Sequence, residues 1–240
     1  KVSFIMKKEL IGVAVLLATS LLPVEASTHK TRTENDFLNN PIDHPEDYYT
    51  NHSMGCLLLQ ECKDGVVELT SISDLEEYYG KDYSVGEEFN QLIEVLNRVG
   101  SKVYIAPSDY FPPLNRGVYH TMSNNFYLND AFMHREGVLM SVMRHEGWHA
   151  AQDCMGGSID NNIIAIIKPM EEVPQFWRDM VDRTYPENVR AWEAEAAWAG
   201  RTEGMTVDAL NACATGAMWE IYEPTPLTRK YLIDEGFIKE

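Results

Sequence analysis

The stretch Glu136-Gly-Val-Leu-Met-Ser-Val-Met-Arg-His145-Glu146-Gly-Trp-His149-Ala-Ala-Gln-Asp-Cys154 decides how this chain is read. Val138, Leu139, Val142, Met143, His149 and Ala150 recur at three- and four-residue spacings and Gly156-Gly157 follow, so the pattern predicts a helix over 136–154. On that helix His145 and His149 stand one turn apart on one face, where their ring nitrogens can reach a single ion. Zinc suits a set of imidazole and carboxylate donors. Glu146 lies off the ligand position but beside it, where it can take a proton from an activated water. Chance places this HExxH pattern only about 0.02 times in a chain of such composition, so two idle surface histidines are the weaker reading.

A catalytic zinc needs a third protein donor and leaves a fourth position open. The extension HExxHxxGxxH is absent, because Gln152 and Met155 occupy its glycine and histidine positions. A second apolar helix is predicted from about residue 186 to Gly200, and it offers Glu193 and Glu195. Two residues apart on a helix means about 200° around it, so only one of the two can face the ion. Ala191, Trp192, Trp198 and Ala199 surround Glu195 with apolar groups, where an unpaired carboxylate is costly unless a metal compensates it. Glu195 is therefore the preferred ligand. Glu193 is the alternative, and its plainer role is a helix ion pair with Arg190. Asp153 is expected as an exposed helix-end acid, and His120 and Tyr185 as packing or surface groups with a lesser claim to stabilising a tetrahedral intermediate. Trp148, Trp192 and Trp198 are expected to pack between the two helices, and Gly147 to allow a close backbone approach.

Working outward, Phe89, Leu92, Ile93, Leu96 and Val99 form one stripe of a helix that ends at Gly100. KVYIAP (102–107), GVYHT (117–121) and NNFYLN (124–129) are predicted strands. CLLLQECKDGVVELTS (56–71) reads as two short strands about a Lys63-Asp64-Gly65 turn, and DLEEYYGKDYS (74–84) as loop or short helix. Residues 163–183, with Pro169 and Pro174, suggest one or two short helices, and a last helix is expected from about Thr206 to Ile221, before Pro224 and Pro226. This order describes one α+β domain over 56–240, preceded by an extended or disordered lead-in at 27–55.

Acidic residues number 37 against 20 basic ones, for a net charge of -17, which repels phosphate backbones and anionic lipid and argues against nucleic-acid partners. Residues 6–26, MKKELIGVAVLLATSLLPVEA, combine a basic start at Met6, an apolar run from Leu10 to Leu22 and the small residue Ala26. They match a secretory signal peptide cleaved after Ala26, the run being shorter than the roughly 20 residues of a membrane span. A secreted or periplasmic protein with no stable membrane anchor is expected. Cys56, Cys62, Cys154 and Cys213 all lie beyond the signal, and pairing Cys56 with Cys62 and Cys154 with Cys213 is preferred among three connectivities. A four-cysteine zinc site lacks the usual CxxC spacing.

The HEGWH motif with a downstream glutamate resembles the gluzincin-type zincin metallopeptidases, over roughly residues 88–200. The resemblance implies a zincin-like α+β fold, in which a small twisted sheet precedes the active-site helix and the C-terminal part is mainly helical. It implies one catalytic zinc, a peptide or protein substrate, Glu146 as general base, and an edge strand, NNFYLN by position, that aligns the substrate. The aspartate found four residues after the ligand glutamate in the thermolysin-like subgroup is not present: Ala199 follows Glu195 and Ala197 follows Glu193. Two rivals remain, a zincin-fold binding module without turnover and a metal-dependent hydrolase of cell-wall peptides.

Overall fold

Side chains alternate across a strand, and here both faces are apolar. Val103, Ile105, Phe126, Leu128 and Tyr119 point to one side, into the main core, while Ala106, Val118 and Tyr127 join a second cluster on the other. The computed structural model, which describes residues 52–157 and 164–239, shows how each face is covered. The N-terminal half contains α1 (His52–Leu58), β1 (Val67–Leu69), α2 (Ile72–Tyr79), α3 (Gly86–Arg98), β2 (Lys102–Ala106), β3 (Gly117–His120) and β4 (Asn125–Asn129). The C-terminal half is helical: α4 (Asp130–Met133), α5 (Glu136–Met155), α6 (Gln175–Thr184), α7 (Arg190–Ala199), α8 (Met205–Ala214), α9 (Met218–Ile221) and α10 (Pro226–Asp234). The fold is thus mixed α and β, with a small sheet and a mainly helical C-terminal part.

The sheet runs β1-β2-β4-β3, with β2 and β4 parallel and the two outer pairs antiparallel. The expected substrate-aligning strand is corrected here: NNFYLN is interior, and among the described residues the strand at the edge beside α5 is β3. A strand with apolar side chains on both faces, as β4 has, is stable between two neighbours rather than at an edge. Leu92, Leu96, Leu139, Met143 and Trp148 from α3 and α5 fill the main core under the sheet.

Three further expectations change. The first strand of the anticipated hairpin is the helix α1, because Met54, Leu57 and Leu58 follow three- and four-residue spacing into the second cluster, and Cys56–Cys62 closes just after it. Residues 54 and 55 of the lead-in therefore belong to the folded body, Met54 being buried. The single helix expected over 206–221 is broken by Gly216, whose φ of 75° is left-handed, into α8 and α9. Pro226 does not end the helical region but opens α10 as its first residue, where a missing amide hydrogen is harmless. Region 163–183 contributes one helix, α6. The signal-peptide reading and residues 27–51 lie outside the described residues.

Both disulfides form as expected, Cys56–Cys62 and Cys154–Cys213, and no cysteine is free among the described residues, as suits an oxidising compartment. No helix among those residues is long and apolar enough to cross a membrane. The long disulfide ties the end of α5 to α8, which packs along α5 at Gly147. A Cβ on Gly147 would lie 2.9 Å from Thr206 Cγ2, and the Thr206 hydroxyl donates to the Arg144 carbonyl at 2.7 Å. Gly147→Ala is expected to lower unfolding free energy by about 1–3 kcal/mol through overpacking. Cys154→Ser with Cys213→Ser should lower it by about 4 kcal/mol through lost loop constraint. Denaturant titration of each variant measures both effects.

Candidate metal centre

α5 and α7 cross with their polar groups turned inward, and close contact is possible because Gly200, at the end of α7, carries no side chain. A Cβ there would stand 3.0 Å from the Ser141 carbonyl and 3.3 Å from His145 Cβ. His145 and His149 are 2% and 0% exposed, and their Nε2 atoms face each other at 3.1 Å. The far side of each ring is already committed. His149 Nδ1 donates to Gln152 Oε1 at 2.7 Å, and the other ring nitrogen of His145 donates to the Ala196 carbonyl. Each neutral ring has one N–H to give, so both Nε2 atoms present bare lone pairs to the same point. Burial holds both imidazoles neutral, pushing His145 down to about 3 and His149 to about 4. Two facing lone pairs in a dry interior could be bridged by a cation.

The acid that the structure groups with the two histidines is Glu193, the alternative, rather than the preferred Glu195. Glu193 Oε2 lies 3.4 Å from His145 Nε2 and 3.9 Å from His149 Nε2, and it has no hydrogen-bond partner. Donors about 2.0 to 2.1 Å from one tetrahedral ion stand about 3.4 Å apart, so His145, His149 and Glu193 fit a single metal ion. Arg190, the expected partner of Glu193, instead pairs with Asp182 and donates to the Tyr185 carbonyl. The Tyr185 hydroxyl donates to Glu193, which gives that residue a supporting place at the site. Burial raises the Glu193 carboxyl to about 7, only partly opposed by His149.

Glu195 faces the other way but is not idle. Its Oε2 accepts from Trp148 Nε1 at 3.0 Å and Gln152 Nε2 at 2.8 Å, and its Oε1 accepts from the Lys168 backbone amide at 2.7 Å. Glu195 thus holds Gln152, and Gln152 holds the His149 ring in the tautomer that frees Nε2. The burial argument was right that Glu195 is enclosed, at 0% exposure, but Glu193 is enclosed as well, at 2%. What separates them is the set of N–H donors around Glu195, which composition alone does not place. Gln152 was the legible signal, standing three residues after His149 on the same helical face.

Glu146 is 0% exposed, and neither carboxylate oxygen has a hydrogen-bond partner. Burial first, then the charge of Glu193, raises its proton affinity well above the usual range. β3 presses on this residue: a Cβ on Gly117 would sit 2.7 Å from Val142 Cγ1 and 3.2 Å from Glu146 Cγ. Asp153 is also corrected. It is buried rather than exposed, accepts from the Tyr119 hydroxyl at 2.6 Å, and burial raises it to about 8. His120 lies at the end of β3 with Ser123 as partner and is not among the grouped donors. Trp148 packs in the core as expected.

These observations define a mixed α and β domain in which two histidines of an HExxH helix and a glutamate of the neighbouring α7 form a buried group that could hold a metal ion. No family model, curated protein or solved structure matches the chain.

With zinc as probe, Glu193→Ala is expected to abolish stoichiometric binding, whereas Glu195→Ala should keep the site but weaken it about 10- to 100-fold through the loosened His149. Calorimetric titration of the two variants separates them. Zinc must also displace the proton that Glu193 carries below about 7, while both histidines are already neutral there. Affinity should therefore rise about tenfold per pH unit up to about 7 and flatten above it, and titrations at a series of pH values test the slope.

Proposed function

We propose that this chain is an exported, zinc-dependent peptidase with a zincin-like active site, in which Glu146 is the general base. The observation that carries the reading is the Glu146 carboxylate: fully buried, without a hydrogen-bond partner, one residue from His145. Leaving such a group unsatisfied costs about 1–3 kcal/mol or more, so its retention points to a task rather than to stability. Every other acid around the metal group has a partner or a donor role.

Zinc held by His145, His149 and Glu193 would supply Lewis-acid polarisation of a water and of the scissile carbonyl. Glu146, as the carboxylate, would take the proton of that water and pass it to the leaving amine. Gln152 and Glu195 keep His149 oriented, and Tyr185 does the same for Glu193. β3 is the edge strand beside Glu146, and an extended peptide laid along it would present its backbone to the site. The four central groups are only 0–2% exposed, so a peptide reaches them when the packing over them opens. Export is supported by the two disulfides and the secretory pattern of residues 6–26.

The same burial favours a second reading, a metal-holding module without turnover. Glu146→Gln distinguishes them. The zinc-loaded variant should bind metal like the wild type yet lose at least about 100-fold in peptide hydrolysis, since an amide cannot take the proton. Turnover of a peptide library that is equal in both proteins would remove Glu146 from the mechanism, and none in either would favour the module.

A further inference from the structure

The stretch of chain that seats Glu195 is itself held from the C-terminal helix. Residues 164–167 belong to no helix or strand, yet Ala165 and Ile167 are buried, so the backbone there must find its hydrogen-bond partners elsewhere. The Ala165 amide donates to the Gln152 carbonyl at 2.9 Å, and the Lys168 amide donates to Glu195 Oε1 at 2.7 Å. The Ile166 carbonyl accepts from the Thr228 hydroxyl of α10 at 3.1 Å. Ile167, between the last two groups, packs in the main core. The Lys168 ammonium lies over the Trp198 and Tyr222 rings at 5.7 and 5.6 Å, which fastens the end of the stretch.

The Thr228 hydroxyl is not what caps its own helix. Thr225 does that, accepting from the Thr228 amide at 3.3 Å and giving its own hydrogen to Thr228 Oγ1 at 3.0 Å. The Thr228 hydrogen is then directed to the Ile166 carbonyl, and both threonines are buried, so water competes little for these bonds. Beyond Lys168 the bonds run on to the histidine. Gln152 Nε2 donates to Glu195 Oε2 at 2.8 Å, and His149 Nδ1 donates to Gln152 Oε1 at 2.7 Å. Connected hydrogen bonds in a low-dielectric interior strengthen one another and lock one arrangement.

We propose that Thr228 is a positioning residue of the metal group: its hydroxyl fixes residues 166–168, that stretch seats Glu195, and Glu195 with Gln152 keeps the His149 ring turned toward the ion. α10 thus acts on a site to which it contributes none of the grouped donors. The inference rests on the metal-holding reading of His145, His149 and Glu193 and does not depend on turnover.

The test is a zinc titration of the full-length protein in competition with a chelator. Thr228→Val removes the hydroxyl at nearly unchanged volume and should weaken zinc binding about tenfold, whereas Thr228→Ser keeps the hydroxyl and should bind within about twofold of wild type. Added to Glu195→Ala, Thr228→Val should cost no further affinity, because the link through which it acts is already cut, while a general packing defect would add its own loss. Zinc binding unchanged in Thr228→Val, or an equal loss in the Glu195→Ala background, overturns the proposal. If Thr228→Val does not fold, the wild type decides by reciprocity: zinc should slow hydrogen exchange of the Ala165 and Lys168 amides more than that of the β2 amides, and an equal effect on both overturns it. If the wild type binds no zinc, the metal reading fails. The relay is then read from the His149 Nδ1 proton in the NMR spectrum, which should be visible in wild type and Thr228→Ser and lost to solvent exchange in Thr228→Val; a signal retained in Thr228→Val overturns it.

Discussion

Two imidazole lone pairs aimed at one point inside the protein are the constraint around which the rest of the structure is arranged. The rings cannot turn away, because Gln152 and the Ala196 carbonyl hold their other nitrogens, and they cannot readily take up protons, because burial opposes the charge. A metal ion would resolve the conflict, and Glu193 stands where it could complete the donors. Binding of the ion to the native state alone would also stabilise the fold.

Holding three polar donors together in a dry interior requires helices and a strand to approach more closely than side chains normally allow. Glycine does this at three places around one helix: Gly147 against α8, Gly200 at the junction of α7 with α5, and Gly117 on the edge strand. At each, a methyl group would meet another atom within about 3.0 Å, and close-packed interiors relax only partly around such an insertion. The Cys154–Cys213 bond then fixes the far end of α5 to α8. The chemistry of the site and the packing of the domain are thus carried by the same contacts.

The roles of Glu193 and Glu195 show how a buried acid can serve in two ways. One keeps an oxygen free of hydrogen bonds and turns it toward the histidines, while the other spends its oxygens on Trp148, Gln152 and the Lys168 amide. Both are raised to about 7 by burial, so neither proton affinity nor exposure tells them apart. The direction each side chain faces does. Asp153, bonded to Tyr119, extends the same buried polar layer along α5 toward the disulfide.

The sequence by itself determined what depends on local spacing: the helices α3 and α5, the strands β2, β3 and β4, the His145-Glu146-His149 arrangement and the presence of disulfides all follow from periodicity, turn residues or parity, while the preferred cysteine pairing was one of three until the fold brought the partners together. Tertiary structure alone decided which of two glutamates on α7 meets the histidines, because the answer depends on the rotation of α7 against α5 and on donors from Trp148 and Lys168. It likewise decided that Gly117–His120 rather than Asn125–Asn129 forms the edge, and that Asp153 is buried, since a strand's neighbours and a helix end's cover come from residues far away in the chain. Local pattern records which face of an element is apolar. It does not record what that face will meet.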